Sequence, residues 1–81
     1  MHVRTLFFAS YRDAVGTGSL EVELPEGATV GELVARLRAR GTPFDRLPAT
    51  PAIAVNRALV RADVPLASGD EIAFLPPVAG G

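Results

Sequence analysis

Apolar and polar positions alternate with period two in several stretches of the chain and with helical spacing in one. Residues 3–8 read as a strand, with Val3, Thr5 and Phe7 on one face and Arg4, Leu6 and Phe8 on the other. Over 19–24, Leu20, Val22 and Leu24 alternate with Ser19, Glu21 and Glu23, the signature of a strand with one solvated face. Thr29-Val30-Gly31-Glu32 has the form of a capping box, and Val30, Leu33, Val34 and Leu37 then recur at i, i+3, i+4 and i+7. The spacing predicts a helix over 30–40, with Gly41 at the C-terminal cap and Pro43 blocking continuation. Short apolar runs over 52–55 and 58–60 flank Asn56-Arg57 and predict a tight hairpin, and 71–75 predicts a last strand with Ile72 and Phe74 on one face and Ala73 and Leu75 on the other.

Between these elements, 9–18 reads as a connection with one helical turn at 11–15, ended by Gly16. Residues 42–51 hold three prolines and read as a surface loop, and 61–69 is rich in turns. The order is β-β-α-β-β-β. A single apolar stripe on a single main helix can cover one face of a mixed sheet and no more. The expected fold is therefore α+β, a β-grasp (ubiquitin-like) roll of about five strands with the opposite sheet face uncovered. Residues 1–75 form the domain and 76–81 a C-terminal tail. On that open face periodicity places Phe8, Leu59 and Leu75, opposite Phe7, Val60 and Phe74.

Composition narrows the chemistry. With 81 residues the chain is one small domain, and such a domain buries only about 60% of the surface of its unfolded form. A hydrophobic fraction of 48% is ample for that core and leaves apolar surface for a binding face. The absence of cysteine excludes disulfides, iron–sulfur clusters (a β-grasp ferredoxin included), thiolate metal sites and cysteine nucleophiles. A single histidine, His2, makes a histidine metal site improbable, and no metal or other cofactor is expected on the chain. A net charge of −1 argues against nucleic acid as partner. No apolar run is long enough to span a membrane, the N-terminus does not read as a signal peptide, and a cytoplasmic protein is expected. All eight basic residues are arginine, and Arg36, Arg38 and Arg40 read as a solvated helix face with Glu32 placed to pair with Arg36. Asn56 reads as a turn residue tolerant of positive φ, and Asp70-Glu71 as serving the turn before the last strand. Asp13 and Glu32 do not read as a catalytic carboxylate pair.

The sequence closes on Pro76-Pro77-Val78-Ala79-Gly80-Gly81. The prolines fix φ near −65° and favour an extended exit from the last strand. Six extended residues reach at most roughly 20 Å. Gly80 and Gly81 lack a Cβ and pass constrictions that other residues cannot. This describes an arm whose terminal carboxylate an enzyme can reach. The plainer alternative is an interaction module in which the glycines are only a tail.

Together with Arg12-Asp13-Ala14-Val15-Gly16, Ala54-Val55-Asn56-Arg57-Ala58-Leu59-Val60 and Gly69-Asp70-Glu71-Ile72-Ala73-Phe74-Leu75, that ending resembles the small-subunit family of molybdopterin synthase, the MoaD group of ubiquitin-like sulfur carriers. The resemblance spans the whole chain and is least distinctive over 42–51. It implies that Gly81 is adenylated by a ubiquitin-activating-type enzyme using ATP and converted to a thiocarboxylate. It further implies that residues 76–80 (Pro76, Pro77, Val78, Ala79, Gly80) enter a large subunit, where the sulfur passes to cyclic pyranopterin monophosphate to form the dithiolene of molybdopterin. The implied assembly holds two large and two small subunits, supplied by a sulfur donor such as a cysteine desulfurase. The small subunit in this scheme has no active site of its own. Phe8, Leu59 and Leu75 match the family's apolar docking patch, with Leu75 standing where an aromatic is frequent. Arg12 is a candidate for pairing with an acidic partner surface. Related carriers serve thiamin thiazole formation, tRNA thiolation or cysteine synthesis, and the Val78-Ala79-Gly80-Gly81 end suits the first of these as well.

Overall fold

In the computed structural model residues 1–77 are described. Five strands form one sheet: β1 (His2–Phe7), β2 (Ser19–Glu23), β3 (Ala52–Val55), β4 (Ala58–Val60) and β5 (Glu71–Leu75), in the order β2-β1-β5-β3-β4. The two outermost segments of the chain, β1 and β5, run parallel at the centre, and the other pairs are antiparallel. A parallel pair needs a covering crossover. The helix α2 (Val30–Arg38) fills that role, and the result is the expected β-grasp roll.

The predicted helical stripe is the buried one: Val30, Leu33, Val34 and Leu37 pack on the inner sheet face with Val3, Phe7, Val22, Ile53, Ile72 and Phe74. Phe7 and Phe74 meet at 5.2 Å between ring centroids with planes tilted by 41°, the offset geometry aromatic pairs prefer. The first amides of α2 are all satisfied. Thr29 Oγ1 accepts from the Glu32 N–H at 3.2 Å, while the Val30 and Gly31 N–H groups donate to the carbonyls of Val64 and Ala62. Gly31 permits this approach, because a Cβ there would lie 3.3 Å from the Ala62 carbonyl oxygen.

Several local expectations need correction. α2 stops at Arg38 rather than Arg40. The Arg40 and Gly41 amides bond three residues back to Leu37 and Arg38, tightening the last turn before Gly41 at φ +83°. The single helical turn at 11–15 is a full helix, α1 (Ala9–Val15), which begins directly after β1 and ends at Gly16 with φ +83°. β1 therefore ends at Phe7, and Phe8 is the residue that caps α1. The loop over 42–51 is not simply surface. It contains a 3-10 turn (Phe44–Arg46) and buries Leu47 in the core. Arg38 Nε donates to the Leu47 carbonyl at 2.8 Å, and the Arg40 guanidinium lies 5.7 Å from the centroid of the Phe44 ring. Two of the three arginines assigned to a solvated helix face thus hold this loop. Glu32 and Arg36 are both exposed and form no ion pair among the described residues.

Candidate functional site

Among the described residues, no helix covers the sheet face opposite α2. Its side chains form rows set by strand register. Leu6 pairs with Ala73, Ala73 with Ala54, and Ala54 with Leu59, so one apolar row crosses four strands. Ala52 pairs with Leu75 in the next row toward the C-terminal end of β5. In the opposite direction the row becomes charged, with Arg4 paired to Glu21 on one side and to Glu71 on the other. The open face is thus apolar at the end where the chain leaves β5 and polar at the far end.

Phe8 and Leu59 are the exposed large hydrophobics among the described residues, at 46% and 73% exposure. Leu59 belongs to the three-residue edge strand β4, where the period-two alternation turns it away from the core and Val60 toward it. Phe8 keeps an extended backbone (φ −114°, ψ 153°) beyond the last residue of β1, so the alternation from buried Phe7 turns it outward as the sequence predicts. Ala9 then takes φ +46°, and the chain turns from strand into α1. Leu75 is half-buried at the end of β5. Pro76 and Pro77 follow without secondary structure, Pro76 half-buried and Pro77 exposed. Val78, Ala79, Gly80 and Gly81 lie outside the described residues.

Leu59, Leu75, Pro76 and Pro77 share a shallow groove of about 520 Å³ with Tyr11 of α1 and with Pro48 and Pro51 of the preceding loop. The sequence reading did not include Tyr11, Pro48 or Pro51. The part of Pro48 and Pro51 depends on the loop over 42–51 being anchored through Leu47, which no periodicity announces. Arg12 lies beside this region, exposed. Its aliphatic stem crosses Gly18 so closely that a Cβ on Gly18 would meet Arg12 Cδ at 3.3 Å. Gly18 thus makes room for the stem.

A polar clamp fixes the edge of this face. The hairpin residue Asn56 exchanges two bonds with Glu71, its N–H donating to the Glu71 carbonyl at 2.8 Å and its Oδ1 accepting from the Glu71 N–H at 3.0 Å. Asn56 Nδ2 donates to Asp70 Oδ1 at 2.9 Å, and Asp70 Oδ2 accepts the Ala67 N–H at 2.8 Å. Asn56 therefore does more than tolerate its φ of +49°: it joins the β3–β4 hairpin to the start of β5. No group of His, Asp and Glu able to hold a metal occurs among the described residues. No helix there is long and apolar enough to cross a membrane.

Comparison with known proteins places this arrangement. The ThiS family model matches residues 5–81. The molybdopterin synthase sulfur carrier subunit of Escherichia coli (strain K12) is 40% identical over 81 residues, covering 98% of this chain and 99% of that one. A solved complex of subunits 1 and 2 of molybdopterin-converting factor from Helicobacter pylori contains a chain 29% identical, with a TM-score of 0.73 and full coverage of both chains. SAMP1 from Haloferax volcanii superposes with a TM-score of 0.85 at 24% identity, a likeness of fold alone. The chain belongs to the ThiS family, with molybdopterin synthase sulfur carrier subunits among its near-full-length relatives.

Proposed function

We propose that this chain is the sulfur carrier subunit of a molybdopterin synthase and that its working atom is the carboxyl carbon of Gly81. The observation that carries the reading is positional. The apolar row of the open sheet face and the exit of the Pro76-Pro77 spacer lie at the same end of the sheet, joined through the groove between Leu59 and Tyr11. A partner that covers Phe8, Leu59 and Leu75 is thereby placed at the root of the arm. Rigid docking at the root limits the freedom that the remaining residues lose on entering a tunnel.

The chemistry then runs in balanced steps on surfaces this chain does not own. A ubiquitin-activating-type enzyme joins the Gly81 carboxylate to the α-phosphate of ATP and releases pyrophosphate. The acyl adenylate is a good electrophile where the carboxylate was a poor one. The outer sulfur of a persulfide on a donor such as a cysteine desulfurase attacks the carbonyl carbon, the C–O bond to phosphate breaks and AMP leaves. A free thiol such as cysteine then reduces the resulting acyl disulfide, which releases the thiocarboxylate and leaves the donor's cysteine in a disulfide with that thiol. In the large subunit the thiocarboxylate sulfur forms a bond to a carbon of cyclic pyranopterin monophosphate as a C–O bond at that carbon breaks and its oxygen departs. Water then cleaves the acyl C–S bond, leaving the sulfur on the pterin and Gly81 as a carboxylate. The carrier supplies reach, docking and a slender end. With no cysteine in 81 residues, no side-chain thiol competes for the sulfur. The terminal glycine has to enter two different active sites, so an added methyl is tolerated in neither. Gly81→Ala is expected to leave the circular dichroism spectrum and melting temperature unchanged. It is expected to lower sulfur transfer by at least about a hundredfold, the scale of loss when reacting atoms are displaced by an ångström. Transfer at the wild-type rate by this variant contradicts the proposal.

A further inference from the structure

Arg57 occupies a backbone position that suits glycine. The β3–β4 connection is a two-residue turn in which Asn56 has φ +49° and Arg57 φ +74°, the left-handed pair of a type I′ turn. In such turns the second residue is preferentially glycine, because a Cβ at positive φ is strained. Asn56 justifies its place through the bonds it makes to Asp70 and Glu71. Arg57 does not do so in the same way. Its side chain is exposed and makes no hydrogen bond or ion pair among the described residues. A strained residue that stabilises nothing within its own fold points to a use outside it.

Its surroundings indicate that use. Arg57 stands two residues before Leu59 on the same hairpin, about 7 Å along an extended chain. Leu59 is the most exposed large hydrophobic of the described residues and lies on the apolar row of the open face. A leucine contact is non-directional and sets no orientation. An arginine at the rim does, because its planar guanidinium takes a carboxylate in a fixed, paired geometry. A ligand that contacts both residues has to present an apolar recess and an anion side by side, which is the surface of a protein rather than of a small anion.

We infer that Arg57 is a specificity-determining contact of the docking face, meeting a carboxylate of the large subunit beside the recess that receives Leu59. The inference rests on the docking role given to this face above. It goes further in assigning a cation, and a cost in backbone strain, to partner choice.

Three substitutions separate strain from charge. Arg57→Gly removes both, Arg57→Gln keeps the strain and removes the charge, and Arg57→Lys keeps both. Each is measured with the cognate large subunit by calorimetry at low and high salt, and alone by thermal melting. The expected result is that only Arg57→Gly raises the melting temperature, by roughly 2–6 °C. Arg57→Gly and Arg57→Gln both weaken binding by roughly threefold to tenfold at low salt, with the loss shrinking as salt rises, and Arg57→Lys stays within about twofold of wild type. Leu59→Arg, measured alongside, is expected to weaken binding by more than about tenfold. If Arg57→Gln binds like wild type while Leu59→Arg does not, the inference about Arg57 is wrong and the docking face stands. If Leu59→Arg also binds like wild type, the docking face itself is wrong.

Discussion

Thr5 lies fully buried on the inner face of β1 between Val3 and Phe7, and its Oγ1 is a buried polar atom with no hydrogen-bond partner. The strand alternation already put Thr5 on that face. It could not show that nothing polar would come near the hydroxyl, since its neighbours arrive from other strands, Leu20 of β2 and Ile72 of β5 among them. An unpartnered hydroxyl in an apolar core loses its hydration without compensation, whereas a methyl of nearly the same shape does not. Thr5→Val is therefore expected to raise stability by about 1 kcal/mol, read as a higher urea midpoint with an unchanged slope. A lower midpoint would mean that the hydroxyl is satisfied after all. At the same scale, the sequence correctly placed Leu59 outward, because a strand's period of two is inescapable once Val60 is turned inward. Phe8 follows the same rule, since its extended backbone carries the alternation one residue past β1, whereas the turn at Ala9 that follows has no periodic signature.

The elements that carry an amphipathic stripe or clean alternation were legible in the residues: β1, β2, β5 and the body of α2 occur where the pattern puts them. The misreadings fell on segments whose structure depends on distant partners. α1 is only seven residues long, with one buried side chain, Val15, so its apolar period is weak. The loop over 42–51 reads as polar punctuation with three prolines. Even so, it docks through Leu47 in the core and through the bond from Arg38 Nε to the Leu47 carbonyl. That loop also supplies Pro48 and Pro51 to the groove beside the C-terminal arm. Leu47→Ala is accordingly expected to cost about 2–4 kcal/mol, the range for a buried leucine, although the residue lies outside any helix or strand. Denaturant unfolding reads this directly. A loss below about 0.5 kcal/mol, the level of an ordinary surface substitution, would return the loop to the surface.

At the scale of the whole molecule the β-grasp roll separates two tasks. One face of the sheet is spent on stability, under α2. The other stays open, with an apolar row that ends where Pro76 and Pro77 leave β5 and a polar edge fastened by Asn56 and Asp70. The parallel central pair brings β5 into the middle of the sheet, so the arm departs from the most constrained part of the fold. Order in sequence and one helical stripe were enough to anticipate this architecture. The cargo was not legible in composition or periodicity. It enters through resemblance and through relatives that are themselves molybdopterin synthase sulfur carrier subunits. The proposed function stands or falls on whether sulfur is carried on the terminal carboxyl of Gly81. The direct test is the intact mass of the chain after incubation with ATP, a ubiquitin-activating-type adenylating enzyme and a cysteine desulfurase with cysteine. The expected result is a gain of about 16 Da, from sulfur replacing oxygen, confined to the C-terminal fragment. An unchanged mass under conditions in which the same enzymes load another carrier would contradict it.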